Sequence, residues 1–90
     1  MKPNLDTKTI NVHVLLFASF GDFLSANKLD IDIEQNSTIK DLQEVLLKKC
    51  SPSKKWNKPL LYAVNQTFAT LDVKLNHGDE VVFMPFVSGG

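Results

Sequence analysis

The chain has 90 residues, 43% hydrophobic and 22% charged, which bounds it to one small domain with a core of its own. Ten basic side chains cancel ten acidic ones, so no global field draws it to nucleic acid or to an anionic membrane. A lone cysteine, Cys50, excludes an internal disulfide and suits a reducing compartment, and no apolar run approaches the roughly 20 residues of a membrane span.

Residues 1–8 are polar and include Pro3, which predicts a loose lead. Asp6, Lys8, Asn11 and His13 interrupt the stretch where a signal peptide would need its apolar region, so a soluble, cytoplasmic domain is expected. From Thr9 the pattern alternates. Ile10, Val12, Val14, Leu16 and Ala18 share one strand face, while Asn11, His13, Leu15 and Phe17 share the other. Gly21-Asp22 marks a break, with Phe20, Phe23 and Leu24 anchoring a short turn or helix. Leu29, Ile31 and Ile33 then alternate with Asp30, Asp32 and Glu34, a half-buried strand ending at Gln35-Asn36.

Thr38 opens a helix, with Asp41 three residues on in capping-box spacing. Ile39, Leu42, Val45 and Leu46 repeat at helical spacing as its buried stripe, and Lys48 and Lys49 complement its C-terminal turn. Ser51–Lys58 reads as a polar loop holding Trp56. Leu60–Asn65 and Phe68–Leu71 are short strands, Asn76-His77-Gly78-Asp79 is a turn needing positive φ at glycine, and Val81–Val87 is the last strand. Runs of strands with one main helix predict an α+β domain, the helix packed on one face of a mixed sheet. The domain spans 9–86, and 87–90 form a flexible Gly-Gly tail.

The end of the chain, Val87-Ser88-Gly89-Gly90, carries the chemistry. Two residues without Cβ make a thin tail, and no charged side chain follows Glu80, so little beyond the terminal carboxylate must be desolvated if the tail enters a partner's cleft. That carboxylate is a poor acylating agent until a partner activates it.

The segment LLYAVNQTFATLDVKLNHGDEVVFMPFVSGG, Leu60–Gly90, resembles the C-terminal half of the MoaD family, the small subunit of molybdopterin synthase, within the ubiquitin-like ThiS superfamily. VLLFASF at Val14–Phe20 resembles that family's first strand. AVNQ at Ala63–Gln66, GDEV at Gly78–Val81 and the proline-containing strand into Gly-Gly resemble its later elements. Each motif is weak alone; their order and spacing make the combination specific. The resemblance implies a β-grasp, ubiquitin-like fold and a sulfur carrier that is not an enzyme on its own. It implies that Gly90 is adenylated by a MoeB-like, E1-type enzyme at ATP expense, with no cofactor bound by the chain itself. A sulfur donor then makes a thiocarboxylate, and Gly89 and Ser88 thread it into a MoaE-type large subunit, in a heterotetramer, where sulfur passes to cyclic pyranopterin monophosphate. Phe17, Phe68 and Met84 match positions of an apolar docking patch. Phe86 stands where the family usually has a second proline, and Met84 where it often has an aromatic.

Other chemistries have little support. One cysteine and two distant histidines, His13 and His77, make neither a metal site nor a triad. Cys50 at a helix C-terminus meets the negative dipole end, which disfavours a thiolate. The run Lys48, Lys49, Lys54, Lys55, Lys58 has one aromatic, Trp56, and no stacking series for nucleic acid. The remaining alternatives are a carrier for thiamine synthesis or tRNA thiolation, and a non-reactive ubiquitin-like interaction module.

Overall fold

The computed structural model describes residues 8–51, 53 and 55–86. Seven elements follow one another: β1 (Thr9–Leu16), α1 (Ala18–Leu24), β2 (Lys28–Glu34), α2 (Ile39–Cys50), β3 (Leu60–Val64), β4 (Thr67–Ala69) and β5 (Glu80–Pro85). The strands form one sheet in the order β2-β1-β5-β3-β4. β1 and β5 run parallel at the centre, and every other neighbouring pair is antiparallel. This is the β-grasp arrangement.

The alternation in β1 sorts its side chains as its sequence requires. Ile10, Val12, Val14 and Leu16 are buried together with Ile31, Ile33, Val81 and Phe83, and the helices cover that face with Phe20, Leu24, Ile39, Leu42 and Leu46. Fully buried leucines such as Leu42 and Leu46 are each worth about 2–5 kcal/mol against alanine.

The start of α2 accounts for each of the four amides that have no helical i→i−4 partner, those of Thr38, Ile39, Lys40 and Asp41. Ile39 N–H donates to the Val73 carbonyl at 3.1 Å and Lys40 N–H to the Leu71 carbonyl at 3.0 Å, while Leu42 N–H makes the first i→i−4 helical bond, to the Thr38 carbonyl at 3.0 Å. Asp41 N–H donates to Thr38 Oγ1 at 3.3 Å, and the Asp41 carboxylate accepts from Thr38 N–H at 2.9 Å, completing the predicted capping box.

These bonds explain why the predicted strand Phe68–Leu71 stops at Ala69: Leu71 and Val73 turn their carbonyls to the helix instead of to β3. Two further expectations change. Gly21 is no break but lies inside α1, buried where a Cβ would stand 2.9 Å from the Leu16 carbonyl oxygen and 3.0 Å from that of Ala26. Ala18 does not extend the β1 face; the strand ends at Leu16, and Ala18 begins α1 with φ 52°.

The segment before β3 is also more than a polar loop. Trp56 packs edge-on against Phe20 at 4.9 Å and Phe23 at 5.2 Å between ring centres, and its Nε1 donates to the Lys58 carbonyl at 2.7 Å. The turn before β5 takes its predicted form, with Gly78 at φ 86°. No helix among the described residues is long and apolar enough to cross a membrane.

Candidate functional site

The sheet face opposite the helices divides into an apolar half and a charged half. Pairing register builds the apolar half. Ala63 faces Phe68 across β3 and β4, Ala63 faces Val82 across β3 and β5, and Val82 lies beside Leu15 across β5 and β1. Met84, two residues beyond Val82, is on the same side. Phe17, one residue past β1, is bound to β5 through its N–H and the Phe83 carbonyl at 3.0 Å.

Phe17, Phe68 and Met84 therefore meet. With Ala63, Gln66 and Val82 they line a shallow depression of about 260 Å³. Phe17 is 50% exposed and Phe68 72%, both high for phenylalanine, and the neighbouring Phe86 is 50% exposed as well. Clustered exposed aromatics of this kind mark partner sites more often than scattered single ones do. Ala63 and Gln66 were not among the predicted site residues. Strand alternation points to Val82 from Met84, but Ala63 and Gln66 needed the strand pairing.

The turn that presents Phe68 is rigidly tied. Asn65 and Gln66 both take positive φ, 50° and 72°, in the tight connection between β3 and β4. The Asn65 side chain reaches back to the turn before β5. Its Oδ1 accepts from Glu80 N–H at 3.0 Å and its Nδ2 donates to Asp79 Oδ1 at 2.9 Å. The other Asp79 carboxylate oxygen accepts from Asn76 N–H at 2.8 Å. β5 is held on both sides, by β1 and by β3, and a final bond from Phe86 N–H to the Pro59 carbonyl at 3.0 Å extends its pairing by one residue. Ser88, Gly89 and Gly90, with Val87, lie outside the described residues.

The decisive match is to the ThiS family, whose profile fits residues 14–90. The chain belongs to the ThiS family. The molybdopterin synthase sulfur carrier subunit of Haemophilus influenzae is 30% identical over 84 residues, covering 88% of this chain and 99% of that protein. The subunit of the same name from Drosophila yakuba is 29% identical over 90 residues, covering 97% and 99%. Among solved structures, SAMP1 from Haloferax volcanii superimposes with a TM-score of 0.72 at 20% identity, covering 89% of this chain and 99% of that one. A chain of the complex of subunits 1 and 2 of molybdopterin-converting factor from Helicobacter pylori does so with a TM-score of 0.60 at 23% identity, covering 90% and 100%. The structural likenesses speak to the fold, and they place this ThiS family member among ubiquitin-like β-grasp domains.

Among the described residues the remaining candidates do not assemble into a second reactive centre, and Lys54 lies outside them. Cys50 ends α2, half-buried, and is a free thiol. His13 Nδ1 lies 2.7 Å from Asp30 Oδ1 on the exposed sheet face, whereas His77 Nδ1 accepts from Asn11 N–H at 3.0 Å. Among the described residues no group of three His, Cys, Asp or Glu side chains is arranged to hold a metal ion. Lys48 and Lys49 occupy the last turn of α2, and the Lys58 ammonium sits 5.9 Å from the centre of the Trp56 ring, whose edge contacts are made inside the domain.

Proposed function

We propose that this chain is the sulfur-carrying small subunit of a molybdopterin synthase, acting in the cytoplasm and without turnover of its own. The observation that carries the proposal is the juxtaposition of Phe17, Phe68 and Met84 beside the strand that runs into Gly-Gly. It occurs in a chain similar over nearly all its length to proteins named molybdopterin synthase sulfur carrier subunit.

On this reading the body docks and the tail reacts. β5 gives the tail a fixed base, and Val87–Gly90, fully extended, reach roughly 13–14 Å into a partner. The Gly90 carboxylate attacks the α-phosphorus of ATP in a MoeB-like enzyme and expels pyrophosphate. Hydrosulfide supplied by a donor then attacks the acyl carbon, the carbon–oxygen bond to AMP breaks, and the thiocarboxylate is left. A MoaE-type large subunit receives the tail, with Ser88 and Gly89 in its cleft, and sulfur passes to cyclic pyranopterin monophosphate. The chain itself binds no cofactor in this scheme; ATP belongs to the activating partner. The expected assembly is a heterotetramer of two small and two large subunits.

The test is reconstitution. Incubation with ATP, a MoeB-like enzyme and a sulfur donor should raise the intact mass by one oxygen-to-sulfur exchange. The product should then convert the pterin precursor only when a MoaE-type subunit is added. Conversion by the chain alone would overturn the reading. Thiocarboxylate formation without binding to a MoaE-type subunit would move the assignment to thiamine synthesis or tRNA thiolation.

A further inference from the structure

We propose that the free edge of β2 and the groove beside it accept an extended basic segment of a partner protein as an added strand. β2 lies at the end of the sheet, paired with β1 on one side, and no strand among the described residues pairs with it on the other. Its register with β1 runs without interruption over seven residue pairs, from Thr9↔Glu34 to Leu15↔Lys28. The flanking bonds set the phase: Leu16 N–H donates to the Asn27 carbonyl and Gln35 N–H to the Lys8 carbonyl, each at 2.8 Å. By antiparallel alternation Leu29, Ile31 and Ile33 spend their backbone groups on β1. Lys28, Asp30 and Asp32 turn theirs outward, and so does the Glu34 N–H; the Glu34 carbonyl is taken by Ser37 N–H at 3.1 Å.

The other sheet edge, β4, is protected by being three residues long. β2 has neither brevity nor a proline or bulge to blunt it; its protection is charge. Two copies pairing through this edge would set Asp30, Asp32 and Glu34 against the same acids, which opposes self-association. A basic strand meets the reverse situation. Between β2 and α2 runs a groove of about 470 Å³, where Ile33 and Val45 are apolar and α2 contributes Asp41, Glu44 and Lys48. Asp30, Asp32 and Glu34 alternate with the buried Ile31 and Ile33, so their side chains stand on the other face of the same edge. Asp41 is engaged in the helix cap and Asp32 accepts from Asn11 Nδ2 at 2.9 Å. Glu34 and Glu44 have no side-chain partner among the described residues. An added strand with Lys or Arg at alternate positions would pair with the open backbone, set those cations beside Asp30, Asp32 and Glu34, and turn its intervening apolar residues toward Ile33 and Val45. The groove shares no lining residue with the Phe17–Phe68–Met84 depression, so both surfaces can be occupied at once.

The experiment uses the full chain and a fluorescent peptide alternating valine with lysine, followed by anisotropy and by amide NMR shifts. Saturable binding is expected, weakening with salt, with the largest shifts at Lys28, Asp30, Asp32 and Glu34. N-methylation of the peptide backbone in one alternating frame should abolish binding, and in the other frame should leave it unchanged. Asp30→Lys combined with Glu34→Lys should weaken binding roughly tenfold and confer binding of the valine–glutamate counterpart. Circular dichroism would verify that this variant, altered at two exposed positions, stays folded. No binding, binding indifferent to the methylation frame, or shifts centred on Phe68 and Met84 would each overturn the proposal.

Discussion

Asn65 and Asp79 are fourteen residues apart and joined by a 2.9 Å hydrogen bond, so the two short motifs AVNQ and GDEV touch each other in the folded chain. The bond fastens the β3–β4 turn, which presents Phe68, to the turn that launches β5, which carries Met84. It is thus a positioning contact for the apolar depression. Asp79 is buried, so losing its partner leaves a carboxylate oxygen short of a donor. Asn65→Gly keeps the positive φ available while removing both side-chain bonds, and should cost about 1–3 kcal/mol in denaturant unfolding. A double-mutant cycle with Asp79→Ala should show a coupling of about 0.5–3 kcal/mol; strict additivity would mean that the bond contributes nothing.

Phe68 and Met84 should matter to partners and hardly at all to folding. Phe68→Asp at a position 72% exposed is expected to change stability by no more than about 0.5 kcal/mol. The same change, or Met84→Glu, should lower affinity for both the activating enzyme and the large subunit by well over about tenfold, since a charge would be desolvated in an apolar contact. Titration calorimetry with each partner reads the effect. Unchanged binding in both variants would remove the depression from the proposed interface.

Removing Gly90, or extending the chain beyond it, should leave the melting temperature of the domain unaltered and abolish the mass gain on incubation with ATP, activating enzyme and sulfur donor. The reasoning is chemical: an acyl group can be activated only where the chain ends. Sulfur transfer by a permanently extended variant would sink the carrier mechanism.

Tyr62 is the only tyrosine, which makes its ionisation readable by ultraviolet absorbance. Burial on β3, where its ring meets Phe83 edge-on at 5.6 Å, raises its pKa above the ordinary 10.0. The folded chain therefore keeps the phenol protonated at a pH where the unfolded chain has begun to lose the proton. This contribution to stability is complete below about pH 10 and declines as pH rises past it. The native titration should lie alkaline of the one in denaturant, and coincident curves would contradict the burial.

Gly21→Ala should be destabilising by about 1–3 kcal/mol even though alanine is the better helix former. The added Cβ would meet backbone oxygens of Leu16 and Ala26 at 2.9 and 3.0 Å, and backbone cannot swing aside as a side chain can. A gain in melting temperature would show that α1 repacks freely.

Local pattern alone determined much of this protein. The alternation of β1 and β2, the stripe and capping box of α2 and the glycine turn at Gly78 are set by neighbours within a few residues, and each is legible because strand and helix periods sort side chains before any tertiary contact forms. The order of these elements and the motifs before Gly-Gly were enough to point to a β-grasp sulfur carrier. Other features were decided only when the chain closed on itself. Gly21 looks like a breaker until the approach of Leu16 and Ala26 shows why a helix needs a missing Cβ there. β4 ends at Ala69 because the amides of Ile39 and Lys40, thirty residues upstream, take the carbonyls of Val73 and Leu71. Trp56 belongs to the core margin through Phe20 and Phe23, a contact that no local period encodes. Ala63 and Gln66 likewise join Phe17, Phe68 and Met84 through the sheet register, which depends on which strands pair and not on the composition of any one of them.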